Sequence, residues 1–395
     1  MTERRKILEL PVGVKDFLPE EARAKRQMEN DLAELFRRWG YREVVTPTFE
    51  YYQTLTPNGW NGEEDYLFKF IDRQGRILAL RYDMTMPIAR LVSMRLRSEP
   101  LPLRLYYLAN VFRYETPQAG RQREFYQAGV ELIGARGPAA DAEVIALAVE
   151  ALEATGLPDF KVGIGQVEVI KGILEDIALP SEGIRSIKQA IARKDHVGLE
   201  QALEQYGVSE QDRRLLITVS NLHGSIEVLD RAFELVESER ARKALQELRQ
   251  VFEVLEGYGV SGRIFLDLGI LRDFDYYTGT VFEGYVAGLG FPICGGGRYD
   301  HLLGKFGYAC PATGFALGVE RVMMALKNID REKPTGIRYL VCGSPYGKVL
   351  EKARELREKG YSVEVDLLGL SPEEIADYAK KRGIGEVIWV GEEAN

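Results

Sequence analysis

The chain has 395 residues, enough for two or three domains of ordinary size and too many for a mini-protein scaffold. Hydrophobic residues make up 45% and charged residues 28%, proportions that exclude a disordered or a membrane-embedded chain and predict a globular protein. The 60 acidic residues outnumber the 52 basic ones and give a net charge of −8, so a nucleic-acid surface would have to be a local patch.

The three cysteines and three histidines are scattered, without the spacing of metal ligands or of a CxxC pair. An odd number of cysteines is typical of a reducing compartment. The amino terminus has no apolar run like that of a signal peptide, and the chain has no long uncharged apolar segment. We therefore expect a cytoplasmic protein with no metal, no cofactor and no contact with a membrane.

The first part of the chain alternates helical and strand patterns. Apolar residues at helical spacing predict a helix over 20–39, and a strand follows over 41–49 with Pro47 at an edge or a bulge. Short turns between consecutive strands favour a mainly antiparallel sheet, with helices such as 142–154 packed on it. The further predicted strands are 67–72 and 77–82, which form a hairpin, and 104–114, 124–134, 263–268, 278–286 and 313–318.

Two changes of pattern predict the domain organisation. Residues 159–262 are mostly helical and look like an insertion, and a polar stretch around 327–336 separates a core over 1–330 from a tail over 337–395. The tail alternates strand and helix, as in a small parallel α/β domain. The predicted fold class is therefore α+β. The predicted tail strands are 339–342, 361–367 and 386–390, and the helices are 349–359 and 372–382.

The strand 124–134 carries polar side chains on one face. Period-two alternation places Gln127, Gly129 and Glu131 together, with the amide and the carboxylate about 13 Å apart and an unfilled space at the glycine. Such a face could hold a small polar molecule. The alternative is a solvated sheet face with Gly129 at a bulge.

Asp83 and Thr85 follow a predicted strand, where their carboxylate and hydroxyl could bind the ammonium group of a ligand. The alternative is a helix cap. Tyr276 and Tyr277 lie in a turn that enters the predicted strand 278–286. Because adjacent strand residues point to opposite faces, we expect at most one of the two tyrosines to face a pocket.

Arg113, Arg272 and Arg321 are candidates for anion binding, because a guanidinium matches the oxygens of a phosphate or a carboxylate. The alternative is an ordinary surface or ion-paired arginine. The glycine run 295–297 permits a close backbone approach but matches neither a P-loop nor a dinucleotide-binding motif.

Taken in order, these segments resemble the core of the class II aminoacyl-tRNA synthetases, and specifically histidyl-tRNA synthetase and its paralogue. Pro47 is similar to the first class motif, residues 112–134 to the second and residues 314–321 to the third. Residues 272–277 resemble the histidine-specific Arg-Gly-Leu-Asp-Tyr-Tyr motif, and residues 296–300 resemble its companion. The resemblance covers the predicted core, and its first motif implies a homodimer.

The resemblance also implies the roles of the candidate residues. Residues matching Asp83 and Thr85 hold the amino group of histidine, and Arg272 matches the catalytic arginine. The implied histidine-binding residues are Asp83, Thr85, Arg113, Gln127, Glu131, Arg272, Tyr276 and Tyr277, and residual ATP binding is implied for Arg113 and Arg321.

Departures from the synthetase pattern favour the paralogue. Residues 80–85 read Leu-Arg-Tyr-Asp-Met-Thr where synthetases usually have Leu-Arg-Pro-Glu-Gly-Thr, and Asp273-Phe274 replaces Gly-Leu. The tail resembles an anticodon-binding fold that stops near Val390, which weakens an assignment to tRNA recognition. The Asp-Met-Thr version is similar to the regulatory subunits of ATP phosphoribosyltransferase.

Membership of that family would imply a regulatory subunit without catalytic residues. Its expected partner is the catalytic subunit of the short-form ATP phosphoribosyltransferase, which acts in the first step of histidine biosynthesis, and its expected effector is L-histidine. We expect a homodimeric core within a hetero-oligomer, and no nucleic acid. The alternatives are a true histidyl-tRNA synthetase and a stand-alone histidine-binding protein.

Overall fold

The computed structural model describes residues 8–57, 66–116, 122–272, 276–327 and 336–391. The chain divides into two compact units, residues 1–328 and residues 329–395, and both contain helices and strands. Within the described ranges, no helix is long and apolar enough to cross a membrane.

The elements are numbered in chain order. The helices of the first unit are α1 (Pro19–Arg38), α2 (Tyr52–Leu55), α3 (Thr85–Leu91), α4 (Pro138–Ala154), α5 (Val167–Asp176), α6 (Ser181–Ala192), α7 (His196–Gln205), α8 (Glu210–Ser220), α9 (Glu227–Leu235), α10 (Glu239–Gly257) and α11 (Val319–Lys327). Its strands are β1 (Arg42–Glu43), β2 (Phe49–Tyr51), β3 (Lys69–Ile71), β4 (Ile77–Leu80), β5 (Leu103–Phe112), β6 (Glu124–Ile133), β7 (Lys161–Gln166), β8 (His223–Gly224), β9 (Ile264–Asp267), β10 (Thr280–Tyr285), β11 (Cys294–Arg298) and β12 (Ala312–Gly318). The second unit contains β13 (Tyr339–Gly343), α12 (Tyr346–Glu358), β14 (Val363–Val365), α13 (Pro372–Arg382) and β15 (Glu386–Val390).

A nine-stranded sheet forms the centre of the first unit, in the order β1-β5-β6-β12-β11-β10-β7-β9-β8. Neighbouring strands are antiparallel except in the β1–β5 and β7–β9 pairs, which confirms the mainly antiparallel sheet expected from the sequence. Helix α4 is buried on nearly all sides because it contacts both the sheet and α10. Helix α1 buries a single stripe that includes Leu32, Leu35 and Phe36.

The prediction of one strand over 41–49 is wrong. Strand β1 pairs in parallel with β5 in the large sheet, whereas β2 pairs with β4 in a separate three-stranded sheet of order β2-β4-β3. Pro47 lies between β1 and β2, where it has no N–H group with which to continue a ladder. The predicted hairpin is confirmed, since β3 and β4 form an antiparallel pair.

The predicted helical insertion over 159–262 begins too early. Strand β7 lies within that range but belongs to the large sheet, between β10 and β9. Two glycines weakened its strand pattern, and both are needed: a Cβ at Gly163 would collide with the Phe265 ring, and one at Gly165 with the Asp267 carbonyl. The helical segment therefore extends from α5 to α10, with only the two-residue strand β8 within it.

The second unit is the small parallel α/β layer that the sequence predicts. Its sheet has the order β14-β13-β15, with both pairs parallel. Val341, Val349 and Leu356 form part of its core. A capping box begins α13, because the Ser371 hydroxyl accepts from the Glu374 N–H and the Glu374 carboxylate accepts from the Ser371 N–H.

Candidate functional site

Two buried carboxylates, Asp83 and Glu131, define the candidate site on the large sheet. Asp83 lies between β4 and α3 and is 4% exposed, and Glu131 lies in β6 and is 2% exposed. Thr85, the first residue of α3, donates from Oγ1 to Glu131 Oε1 over 2.9 Å. The hydroxyl of Tyr299 donates to the other oxygen, Glu131 Oε2. Residues from three distant parts of the sequence therefore meet at one carboxylate.

Burial leaves both carboxylates short of compensating charge. Desolvation, with a smaller contribution from the Asp83 charge, raises the pKa of Glu131 to about 8 despite hydrogen bonds from Tyr299 and Thr85. Desolvation also raises the pKa of Asp83 to about 6, although the Arg113 charge, the Met86 N–H and the Tyr276 hydroxyl oppose it. A site with this electrostatic character favours a ligand that brings positive charge or N–H donors.

Two polar atoms of the site have no hydrogen-bond partner among the described residues. They are Asp83 Oδ2 and Gln127 Oε1, and the Gln127 residue is only 8% exposed. Gln127 precedes Glu131 by four residues on the same strand, so the two share a face as predicted. Because buried polar atoms are nearly always paired, these two mark positions where a ligand or water would bind.

The helix-cap alternative is correct for one oxygen of Asp83. The Met86 N–H donates to Asp83 Oδ1 over 3.3 Å at the start of α3. Thr85 does not cap α3 and instead contacts Glu131. One carboxylate oxygen of Asp83 thus accepts from the backbone, and the other has no hydrogen-bond partner among the described residues.

Tyr276 and Tyr277 lie side by side at the site. The two ring centroids are 4.8 Å apart, and the hydroxyl of Tyr276 stabilises the Asp83 carboxylate. Burial raises the pKa of Tyr277, the Arg272 charge opposes that shift, and the charges of Glu131 and Asp83 add to it. Strand alternation does not apply to this pair because β10 begins only at Thr280. That at most one of the two tyrosines faces a pocket stays a prediction.

The unfilled space predicted at Gly129 is occupied. Tyr107 is the partner of Gly129 across β5 and β6, and a Cβ at Gly129 would collide with the Tyr107 hydroxyl. No pattern in the sequence pointed to Tyr107, or to Tyr299, which follows β11. A glycine in a strand indicates that another group approaches closely, and that signal could have pointed to Tyr107.

Three further glycines lie beneath side chains of the site. A Cβ at Gly314 would collide with the Glu131 carboxylate, and one at Gly295 with the Arg272 guanidinium. A Cβ at Gly297 would approach the Tyr277 ring to 3.0 Å. Gly295 and Gly297 belong to β11, so the glycine run that the sequence left without a secondary structure is a central strand. The close backbone approach expected at this glycine run therefore makes room for side chains of the site.

The three candidate arginines occupy different positions. Arg113 donates from Nε to the Tyr82 carbonyl over 3.0 Å, and its charge acts on Asp83. Arg272 forms a 3.0 Å ion pair with Glu283, so the ion-paired alternative holds for it. Arg321 donates to the Pro292 carbonyl over 2.7 Å and lies over the Phe291 ring. Asp273 and Phe274, which depart from the synthetase motif, lie outside the described residues.

Within the described ranges, no group of three or more histidine, cysteine or acidic residues is arranged to hold a metal ion. The chemistry of the site is that of carboxylates, tyrosine hydroxyls, one amide and arginines. These groups can recognise a small ligand that carries both charge and hydrogen-bond donors.

The raised pKa of Glu131 predicts a specific pH dependence of stability. Since the folded state holds this proton more tightly than the unfolded state, stability falls as the pH rises from 4.5 through about 8, by about 1.4 kcal/mol per unit of pKa difference. We expect the free energy of unfolding of the wild type, relative to Glu131→Gln, to decrease over that range. Urea denaturation at several pH values measures this free energy, and the same change at the exposed residue Glu204, Glu204→Gln, serves as control. If the free energy of unfolding changes with pH in the same way in the wild type and in Glu131→Gln, the expectation is contradicted.

Comparisons with known proteins assign the fold to a class. The sequence profile of histidyl-tRNA synthetase matches residues 13–322. A solved structure of an ATP phosphoribosyltransferase regulatory subunit/histidyl-tRNA synthetase from Bacillus halodurans C has a TM-score of 0.86 and 35% identity, covering 98% of this chain and 99% of that one. A histidyl-tRNA synthetase from Nostoc sp. PCC 7120 has a TM-score of 0.85 and 26% identity, covering 98% and 92%. The fold is that of a histidyl-tRNA synthetase-like class II protein.

Proteins with similar sequences identify one family within this class. An ATP phosphoribosyltransferase regulatory subunit from Moorella thermoacetica is 54% identical over 98% of both chains. One from Desulforamulus reducens is 45% identical, over 97% of this chain and 96% of that one. The chain belongs to the family of ATP phosphoribosyltransferase regulatory subunits.

Proposed function

We propose that this protein is the regulatory subunit of a short-form ATP phosphoribosyltransferase in histidine biosynthesis, and that its buried site senses L-histidine. The observation that carries the first part is the 54% identity, over nearly the full length of both chains, to a protein named for that role. The second part rests on the geometry of the site. As a regulatory subunit, the chain acts on its catalytic partner and does not itself carry out the transfer.

The site offers a complementary group for each part of histidine. Asp83 neutralises the ammonium through the oxygen that the helix backbone leaves free. Glu131, held by Thr85 and Tyr299, pairs with the imidazole. Arg113 lies near Asp83 and supplies the charge for the ligand carboxylate. An amino acid without the imidazole N–H groups would forgo the charged hydrogen bond to Glu131, which costs about 1–3 kcal/mol.

The charge of the second unit supports a role without nucleic acid. Residues 336–391 contain nine lysines and arginines and nine aspartates and glutamates. Several of the basic side chains are paired locally, such as Lys359 with Glu355 and Arg382 with Glu364. A surface for tRNA would instead need a basic patch.

Reconstitution tests the proposal. Added to the catalytic subunit from the same organism, the protein should raise transferase activity and make that activity sensitive to L-histidine. A mixture whose activity and histidine sensitivity match those of the catalytic subunit alone would overturn the proposal.

Histidyl-tRNA synthetase is the second candidate, favoured by the retention of Arg113 and Arg321, which match ATP-phosphate contacts in that family. We expect no formation of histidyl-tRNA with the purified protein. Histidine-dependent exchange between ATP and pyrophosphate separates the two activities: exchange without charging indicates residual adenylation. Robust charging of tRNA would establish the synthetase instead.

The small sheet β2-β4-β3 presents an exposed aromatic face. Phe49, Tyr51 and Phe70 are 51%, 43% and 40% exposed, and the Phe49 and Phe70 rings pack edge to face with centroids 5.8 Å apart. Contiguous exposed aromatic residues usually mark an interaction surface. The homodimer implied by the first class motif is therefore proposed to form through this face.

Replacing Phe70 with glutamate should weaken that homodimer at least tenfold, because a charge would be buried at an apolar contact. Light scattering coupled to size-exclusion chromatography over a dilution series measures the change. Val197→Asp, a matched change at an exposed position of α7, should leave the mass unaltered. A Phe70→Glu protein that remains as dimeric as the wild type would remove this face from the interface.

A further inference from the structure

Arg298, at the end of β11, is a buried basic residue between two acidic ones. It is 6% exposed and forms ion pairs of 2.7 Å with Asp141 and 2.9 Å with Asp300. It also donates to the Ala135 carbonyl over 3.1 Å. Through these contacts one guanidinium connects the start of α4 with the segment that follows β11. Gly279 lies against its side chain, where a Cβ would approach the Arg298 Cδ to 3.0 Å.

The segments that Arg298 connects carry two of the site tyrosines. The backbone carbonyl of Arg298 accepts from the Thr278 N–H over 2.8 Å, and Thr278 directly follows Tyr277. The Thr278 hydroxyl in turn accepts from the Asp300 N–H over 2.9 Å, and Asp300 directly follows Tyr299. The first contact is made by the backbone of Arg298, so the Arg298 side chain acts on the segment of Tyr299, through its ion pair with Asp300.

We propose that Arg298 is a positioning residue: held by Asp141 and Asp300, its side chain fixes Tyr299 against Glu131 and so controls histidine binding without touching the ligand. The proposal rests on the function proposed above. A planar guanidinium can hold both carboxylates and the Ala135 carbonyl at once, whereas the single ammonium of lysine cannot reproduce that geometry. The effect on the ligand passes through the Tyr299 hydroxyl, which donates to Glu131.

The groups that face Glu131 define what the test must separate. Thr85 from α3 and Tyr299 after β11 donate to its two oxygens, and Asp83 raises its pKa. Tyr107 from β5, Tyr276 and Tyr277 before β10, and Tyr41 after α1 interact with it electrostatically. Of these, the Arg298 side chain holds only the segment of Tyr299. Loosening Tyr299 removes a hydrogen bond that lowers the pKa of Glu131, so that pKa should rise.

The full-length protein is compared as wild type, Arg298→Lys, Tyr299→Phe and the double variant, with L-histidine binding measured by calorimetry at several pH values. Arg298→Lys should weaken binding about tenfold, as expected for the loss of one charged hydrogen bond. The midpoint of its pH dependence should move upward, in the same direction as in Tyr299→Phe. The double variant should bind histidine at most twofold more weakly than Tyr299→Phe does, because both changes act through one hydroxyl.

Two controls separate positioning from general stability. Arg104→Lys removes a comparable pair, since Arg104 holds Glu143 of the same helix α4 through contacts of 2.7 and 2.8 Å. It should change the thermal midpoint without changing the pH midpoint of binding. Asp300→Asn weakens the pairing of Arg298 while keeping the side-chain shape, and it replaces Arg298→Lys if that variant does not fold.

An Arg298→Lys protein that is less stable but binds histidine with the wild-type affinity and pH midpoint would overturn the proposal. Fully additive losses in the double variant would overturn it as well. If the wild type binds no histidine, the proposed function fails. The titration of Glu131, followed by carbon-13 NMR of its carboxyl group, then still tests the positioning: an unchanged pKa in Arg298→Lys contradicts it, and a raised one supports it.

Discussion

Replacing Glu131 with glutamine is expected to weaken L-histidine binding by about 1.5–3 kcal/mol, or roughly ten- to a hundredfold. The change keeps the shape of the side chain but removes the charge that pairs with the imidazole, in a site where the residue is only 2% exposed. The loss should be largest above about pH 8, where the wild-type carboxylate is ionised, because burial raises its pKa to about 8. Calorimetric titration across that range measures it.

A matched control comes from the same strand. Glu124→Gln makes the identical change at the opposite end of β6, where Glu124 accepts from the Asn110 side chain over 2.8 Å. It should leave histidine affinity unaltered. If Glu131→Gln binds histidine as tightly as the wild type at every pH, Glu131 is not part of the binding site.

Replacing Asp83 with asparagine should separate activation from inhibition in the reconstituted transferase. The variant should still activate the catalytic subunit, because Asp83 is only 4% exposed and so offers a partner almost no surface to contact. Inhibition should need at least tenfold more L-histidine, since the ligand ammonium loses its counter-charge. Histidine shifts the complex only by its differential affinity for two states, so weaker binding appears directly as weaker inhibition.

Transferase activity as a function of histidine concentration measures the separation. Asp72→Asn, in the turn between β3 and β4 where the carboxylate pairs with Arg76 over 2.6 Å, serves as control and should behave as the wild type does. Unchanged inhibition in Asp83→Asn would place the effector elsewhere. Loss of activation and inhibition together would show that Asp83 supports the partner interface instead.

The parts of the site that the sequence predicted correctly lie on regular elements. Strand β6 runs unbroken over ten residues, so simple alternation placed Gln127 and Glu131 on one face. Tyr276 and Tyr277 lie before their strand, so alternation does not decide which of the two faces the site. Alternation along the sequence predicts side-chain direction only for residues that lie in one continuous strand.

Tyr107 and Tyr299 were missed for a different reason. Tyr107 reaches the site because β5 and β6 pair in the register that sets it opposite Gly129, and no local pattern encodes that register. Tyr299 follows β11, whose three consecutive glycines leave no side-chain alternation to read. The strands β7 and β11 were lost from the predicted sheet through their glycines, whereas the tail was predicted well because its apolar runs are short, regular and separated by turns.

The glycines beneath the site have an evolutionary consequence. The three atoms nearest a Cβ at Gly295 all belong to Arg272, so a larger residue there becomes tolerable once Arg272 has become smaller. A Cβ at Gly129 would meet the Phe315 carbonyl as well as Tyr107, and one at Gly314 would meet the Val130 carbonyl as well as Glu131. Substitutions at Gly295 and Arg272 should therefore occur together during divergence, whereas Gly129 and Gly314 should stay glycine even in a lineage that abandons the ligand.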